Sequence, residues 1–186
     1  EILLAHVLDV PRIRLYVDIE RPLEKVELAR YRELLQRRTK GEPVQYLVGG
    51  TEFYGRRFLT DPRALIPRPE TELLVEIAVG WAAEHPPVVR VADLGTGSGA
   101  IALGLAERLP GAAVVAIDRE QAALDLAREN ASAVPAGARV ELMLSDWFEA
   151  LPAAPFDLIV SNPPYLAESE MTEVAPEVKE FEPRSA

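Results

Sequence analysis

The chain has 186 residues, no cysteine and a formal net charge of −10, which excludes disulfides, thiolate metal sites and cysteine nucleophiles. Its two imidazoles, His6 and His85, lie in different segments, so a histidine-rich metal site is not expected. The acidic balance argues against a protein held to nucleic acid mainly by phosphate contacts, and no apolar run approaches the roughly 20 residues of a membrane span.

A hydrophobic content of 48% supports a real core. The expectation is a monomeric, soluble, cytoplasmic protein. Residues 1–43 read as a small helical unit. Val26, Leu28, Tyr31, Leu34 and Leu35 follow a helical stripe, with Pro22 in the first turn and Lys40-Gly41 with Pro43 as the stop. Arg37-Arg38 reads as a solvated helix end.

Residues 44–66 change character. Val44 to Val48, Glu52 to Gly55 and Arg57 to Leu59 are rich in β-formers and punctuated by glycine, and they predict a β-hairpin linker. Phe53 and Tyr54 are expected to pack within it. Pro67 to Glu72 then opens a helix whose buried face is expected to be Leu73, Leu74, Ile77 and Ala78, with His85-Pro86-Pro87 at its end. Arg68, Glu70 and Glu72 fit either helix-start charges or pocket residues.

From Val88 the rhythm is strand, helix, strand, helix. Strands are expected at 88–94, 114–118, 139–144 and 156–160, with helices at 100–109 and 120–132. That alternation is the signature of a parallel sheet with crossover helices, an α/β Rossmann-like fold over 67–186. Four strands are few for such a domain, so its C-terminal strands are expected to be missing and the chain to be a fragment. The acidic stretch 168–182 fits a helix or a loop.

Three constellations carry chemistry. Asp93-Leu94-Gly95-Thr96-Gly97-Ser98-Gly99 joins a strand to a helix, and its glycines let the backbone approach a ligand closely. Asp118 follows 19 residues after Gly99, at a strand end where a carboxylate can accept from both hydroxyls of a ribose. Spacing alone leaves the nucleoside cofactor open, because Gly95, Gly97 and Ala100 also satisfy the dinucleotide fingerprint. The second constellation, Ser145-Asp146-Trp147-Phe148, fits an adenine subsite or an Asp cap followed by core aromatics.

The third is Ser161-Asn162-Pro163-Pro164-Tyr165, a stiff turn after the last strand. It can be a proline strand stop. It can also be a clamp for a planar nitrogen: the Asn162 side-chain oxygen and the Pro163 carbonyl accept its N–H groups while Tyr165 stacks on the flat group.

The form Asp-x-Gly-x-Gly-x-Gly resembles motif I of class I S-adenosylmethionine-dependent methyltransferases. Asn-Pro-Pro-Tyr resembles the motif of methyltransferases acting on planar nitrogens. With Ile66-Pro67-Arg68-Pro69-Glu70-Thr71-Glu72 and Gly41-Glu42-Pro43-Val44-Gln45-Tyr46-Leu47, the whole resembles the HemK/PrmC family of release-factor glutamine N5-methyltransferases. The resemblance implies transfer of a methyl from S-adenosylmethionine to the glutamine amide of the Gly-Gly-Gln motif in class I peptide-chain release factors, leaving S-adenosylhomocysteine. It implies that Asp93, Gly95, Thr96, Gly97, Ser98, Gly99, Asp118, Asp146, Trp147 and Asn162 hold the cofactor, with Asp93 facing its cationic amino-acid moiety. Asn162, Pro163, Pro164 and Tyr165 would hold the glutamine, with Asn162, Pro163 and Tyr165 catalytic, and the helical unit would engage the release factor. No metal and no direct nucleic-acid contact are implied. An adenine-N6 or other nucleic-acid amino methyltransferase, and a non-catalytic adenosyl-cofactor or dinucleotide module, are the alternatives.

Overall fold

The computed structural model describes residues 1–151, 154–163 and 180–183. The N-terminal unit comprises α1 (Ile2–Leu8), α2 (Arg14–Val17), α3 (Lys25–Arg38) and α4 (Val44–Leu47). Leu3, Val7, Leu34 and Leu47 form its small core, edged by Tyr31, Val44 and Val48. The buried stripe of α3 is narrower than the sequence suggests, because Val26 and Leu35 remain exposed. The helix begins at Lys25 rather than around Pro22: Glu24 and Glu27 form a capping box, the Glu24 N–H donating to Glu27 Oε2 at 2.8 Å. At the other end Arg37 grips Glu42, Nε to Oε2 at 2.8 Å, so this end is closed by its own acceptor.

The stretch 44–48 corrects the expectation of a strand. It is a single helical turn, in which Pro43 O accepts from Tyr46 and Leu47 N–H and Gly49, at φ 68°, ends it. Tertiary packing of Leu47 outweighs β-propensity here. The hairpin proper is β1 (Thr51–Phe53) with β2 (Arg56–Phe58), antiparallel. Its two-residue turn, Tyr54-Gly55, has both φ positive (53° and 72°), the arrangement that matches strand twist. Phe53 and Phe58 meet edge-on at 5.9 Å.

One 3₁₀ turn, Pro69–Thr71, precedes α5 (Glu72–Glu84). The buried residues of α5 are Val75, Ala78 and Ala82, whereas Leu73 and Ile77 are exposed, which corrects the expected face. The reason is close approach. Both Val75 methyls lie 3.5 Å from where a β-carbon on Gly104 would sit, so small side chains and a glycine bring α5 against α6 (Ala100–Arg108). Glu72 then faces the hairpin, its Oε1 accepting from Tyr54 N–H at 2.8 Å.

Strands β3 (Arg90–Leu94), β4 (Ala113–Asp118), β5 (Val140–Leu144) and β6 (Leu158–Ser161) form one parallel sheet in the order β5-β4-β3-β6. Helix α7 (Gln121–Ser132) and a 3₁₀ segment, Pro135–Arg139, join β4 to β5. Val91, Val114, Ala116 and Val160 pack on α5, α6, Phe53 and Phe58. Ala92, Leu94, Val115 and Ile117 form a second cluster with Met143. The strand order reverses beside β3, so a crevice opens there at the carboxyl edge, between the loops that follow β3 and β6.

Candidate active site

Register brings the site together. Leu94 pairs with Ile117 and with Ser161, and Asp118 pairs with Leu144, so four strands end level. The turn after each one faces one cleft, lined by Gly95 to Ser98, Asp118, Asp146, Trp147 and Asn162, with Ile66, Arg68, Thr71 and Pro183 on its wall.

The glycine loop is held from several sides. Gly95, Gly97 and Gly99 take φ of 71°, 55° and 82°, values an L side chain rarely adopts. A β-carbon on Gly99 would also meet Ala127 Cβ at 3.2 Å. Gly95 and Thr96 N–H both donate to Ile117 O (2.9 and 2.8 Å), and Gly99 N–H donates to Thr96 O (2.9 Å). Gly97 N–H donates to Asp118 Oδ2 at 2.9 Å. These four amides are each taken by an acceptor of the chain itself, so none of them is free to cradle a pyrophosphate. That weighs against a dinucleotide.

Asp93 does not line the cleft. It is fully buried behind the loop, where Oδ2 accepts from Thr96 Oγ1 (2.6 Å) and Ala102 N–H (3.1 Å). It therefore caps α6 from a neighbouring strand, at a helix whose N-cap, Gly99, has no side chain. Its Oδ1 is buried without a partner among the described residues. Burial raises its carboxyl to about 6, against the lowering effect of those two hydrogen bonds, and nearby Asp118 adds to the rise.

Asp118 is half-buried, its Oδ1 accepting from Glu120 N–H at 3.0 Å. Each oxygen keeps a further lone pair for an incoming hydroxyl. Trp147 and Phe148 are exposed, not core. Trp147 sits at φ 48°, a conformation that costs a non-glycine residue about 1–2 kcal/mol. The turn is held by the buried Ser145, which donates to Trp147 O at 3.2 Å and accepts from Ala150 N–H at 2.9 Å. At β6, Ser161 Oγ donates to Leu94 O at 2.8 Å, fastening the strand end that presents Asn162. Asn162 is half-buried in the cleft and Pro163 is exposed. Pro164 and Tyr165 lie outside the described residues.

The cleft therefore offers a carboxylate for a diol, an exposed aromatic ring for a flat base and a carboxamide for a planar nitrogen. An adenosyl group fits this donor set. Among the described residues no cluster could hold a metal ion.

Three contributors were not legible in the sequence. Asn130, on the buried stripe of α7, accepts from Leu59 N–H (2.7 Å) and donates to Ser98 O (2.9 Å), tying the linker to the loop. A lone amide at helical spacing from Ala123, Leu126 and Ala127 was its only signal. Arg63 lines the cleft and bridges Asp61 and Glu129 at 2.6 Å each. Glu182, deeply buried, accepts from Ile66 N–H and pairs with Arg68. Arg68 thus belongs to the cleft wall, while Glu72 serves the hairpin. Phe53 meets Phe58 within the hairpin as expected, and it also joins the main core and backs the cleft.

Two family models match the chain. Residues 1–49 match the PrmC N-terminal domain and residues 71–179 the methyltransferase small domain. The chain is 46% identical to the release factor glutamine methyltransferase of Chlorobaculum tepidum, over all of this chain and 66% of that protein. It is 46% identical to that of Geobacter sulfurreducens (100% and 64%) and 47% to that of Bordetella pertussis (99% and 67%). It spans about two thirds of the length of these curated relatives. The chain belongs to the release factor glutamine methyltransferase family.

Proposed function

We propose that the cleft binds S-adenosylmethionine and that the protein methylates the glutamine side-chain amide of the Gly-Gly-Gln motif in class I peptide-chain release factors. The observation that carries this reading is that Asn162 and the Gly95–Ser98 loop line one cleft, after neighbouring strands. The names of the full-length relatives support the acceptor.

When bound, the cofactor would supply an electrophilic methyl on a sulfonium, whose transfer to the amide nitrogen would break the C–S bond, release the thioether and pass the nitrogen's proton to solvent. The chain's residues orient. Asp118 accepts from the ribose hydroxyls, Trp147 packs on the adenine face, and Asp146 accepts from the adenine amino group. The Asn162 side-chain oxygen and the Pro163 carbonyl accept the two N–H groups of the glutamine amide. Because that nitrogen's lone pair is delocalised, alignment and stabilisation of developing charge matter more than a general base. Tyr165 would stack on the amide plane.

Asp93 acts in this reading as a positioning residue beneath the loop. Residues 1–43 form the unit that engages the release factor, 44–66 the linker and 67–186 the catalytic domain. No helix among the described residues is long and apolar enough to cross a membrane. We place the protein in the cytoplasm as a monomer acting on protein, not nucleic acid.

The test is methyl transfer from labelled cofactor to a release factor, to its Gln-to-Ala version and to DNA. Labelling confined to the intact Gly-Gly-Gln protein is expected. Equal labelling of the Gln-to-Ala version, or of DNA alone, overturns the reading.

A further inference from the structure

Only 2% of the Glu182 side chain is exposed. Its Oε2 accepts from Ile66 N–H at 3.2 Å and its Oε1 from Arg68 Nη2. Ile66, Arg68 and Pro183 line the cleft, so Glu182 stands just behind the wall. Its neighbour Phe181 reaches to 3.4 Å from where a β-carbon on Gly41 would lie. Burial raises the Tyr46 phenol, which is neutral at physiological pH, and the charged groups facing it are Glu182, Asp61 and Arg68. Among the described residues, Arg68 has one carboxylate in ion-pair contact, Glu182. Asp61 is bound to Arg63.

An ion pair presents little net charge at a distance, whereas a guanidinium stripped of its partner projects an uncompensated positive charge toward the cleft. We propose that Glu182 is a positioning residue that neutralises the Ile66–Arg68 wall and so sets the cleft's preference for the cationic methyl donor over its uncharged thioether product. The inference rests on the S-adenosylmethionine reading above. It concerns affinity, not turnover, and can be measured without an acceptor.

Isothermal titration of the wild type, Glu182→Gln and Arg68→Gln with S-adenosylmethionine and S-adenosylhomocysteine at low salt tests it. Glu182→Gln is expected to weaken the donor about tenfold, the scale of one uncompensated unit charge acting across a cleft at an effective dielectric of about 20. The product should stay within about twofold, and added salt should restore much of the loss. Equal weakening of both ligands, the mark of a merely structural role, overturns the proposal, as does no change in either. Arg68→Gln, which removes the cation instead, should keep or raise the preference. A fall overturns the proposal even if Glu182→Gln does not fold. A wild type that binds neither ligand defeats the cofactor reading itself.

Discussion

The loop after β3 and the turn after β6 sit side by side at one sheet edge but are held differently. The glycine loop is tied on every side: Asp93 beneath it, Ile117 O along it, Asp118 at Gly97 and Asn130 at Ser98. The Asn162 turn, among the described residues, is fastened at its strand end through Ser161 and Leu94 O. In the proposed reading, side-chain anchors far apart in sequence build the cofactor half, and the acceptor half begins at a strand end that the stiff Pro163 follows soon after. The lesson is that damage to the first half should spread into stability, while damage to the second should stay in the chemistry.

Substitutions can break or sharpen that contrast. The largest effect is expected from Asn162→Ala. Turnover should fall roughly 100- to 1,000-fold, the scale of losing one group that stabilises developing charge, while cofactor affinity measured by titration calorimetry stays within about threefold. Comparable losses in both would move Asn162 to the cofactor half.

Asp93→Asn comes next, and its signature is pH. The folded-state value of about 6 lies above the ordinary 3.8, so ionising Asp93 costs folding stability. That cost is absent below about pH 4, grows as pH rises to about 6, and is constant above. Denaturant unfolding should show the variant gaining on the wild type across that window by on the order of 1–3 kcal/mol. A flat difference would mean that Asp93 is not buried as a charge.

Asn130→Ala should cost about 2 kcal/mol by thermal or denaturant unfolding, since it leaves Leu59 N–H and Ser98 O unpaired. It should also weaken cofactor binding although Asn130 is not in the cleft. Unchanged affinity would separate the linker from the loop. The smallest effect is expected from Trp147→Ala, a loss of about 1–2 kcal/mol in cofactor binding, the scale of one base–aromatic stack. It should come with no fall in melting temperature, because the ring is exposed and alanine at the same left-handed φ carries the same β-carbon.

Much of this architecture was legible because periodicity is a strong signal. Every parallel strand and crossover helix lies within one or two residues of its expected place. The glycine loop, Asp118 and Trp147 converge as their strand-end positions predict. What failed did so for physical reasons. Val44 to Leu47 looks like a strand because Val and Tyr favour sheets, but one buried leucine fixes it as a helical turn. Leu73 and Ile77 are the more hydrophobic residues of α5, yet close approach to Gly104 selects the side with Ala78 and Ala82. Glu182 reads as one more charge in an acidic stretch, and its partner is 114 residues away. Pairings at that range leave no mark in local pattern.

The level strand ends carry one more consequence. Leu94 and Ser161 are lateral neighbours in the sheet, and neighbouring strands lie about 4.8 Å apart. A nucleophile in near-attack position stands about 3–3.5 Å from its target carbon, with one bond more to the departing atom. The two lengths are of one scale. Under the proposed function, the pleated backbone sets the two anchor points of the site, Leu94 and Ser161, one strand spacing apart at the same edge of the cleft.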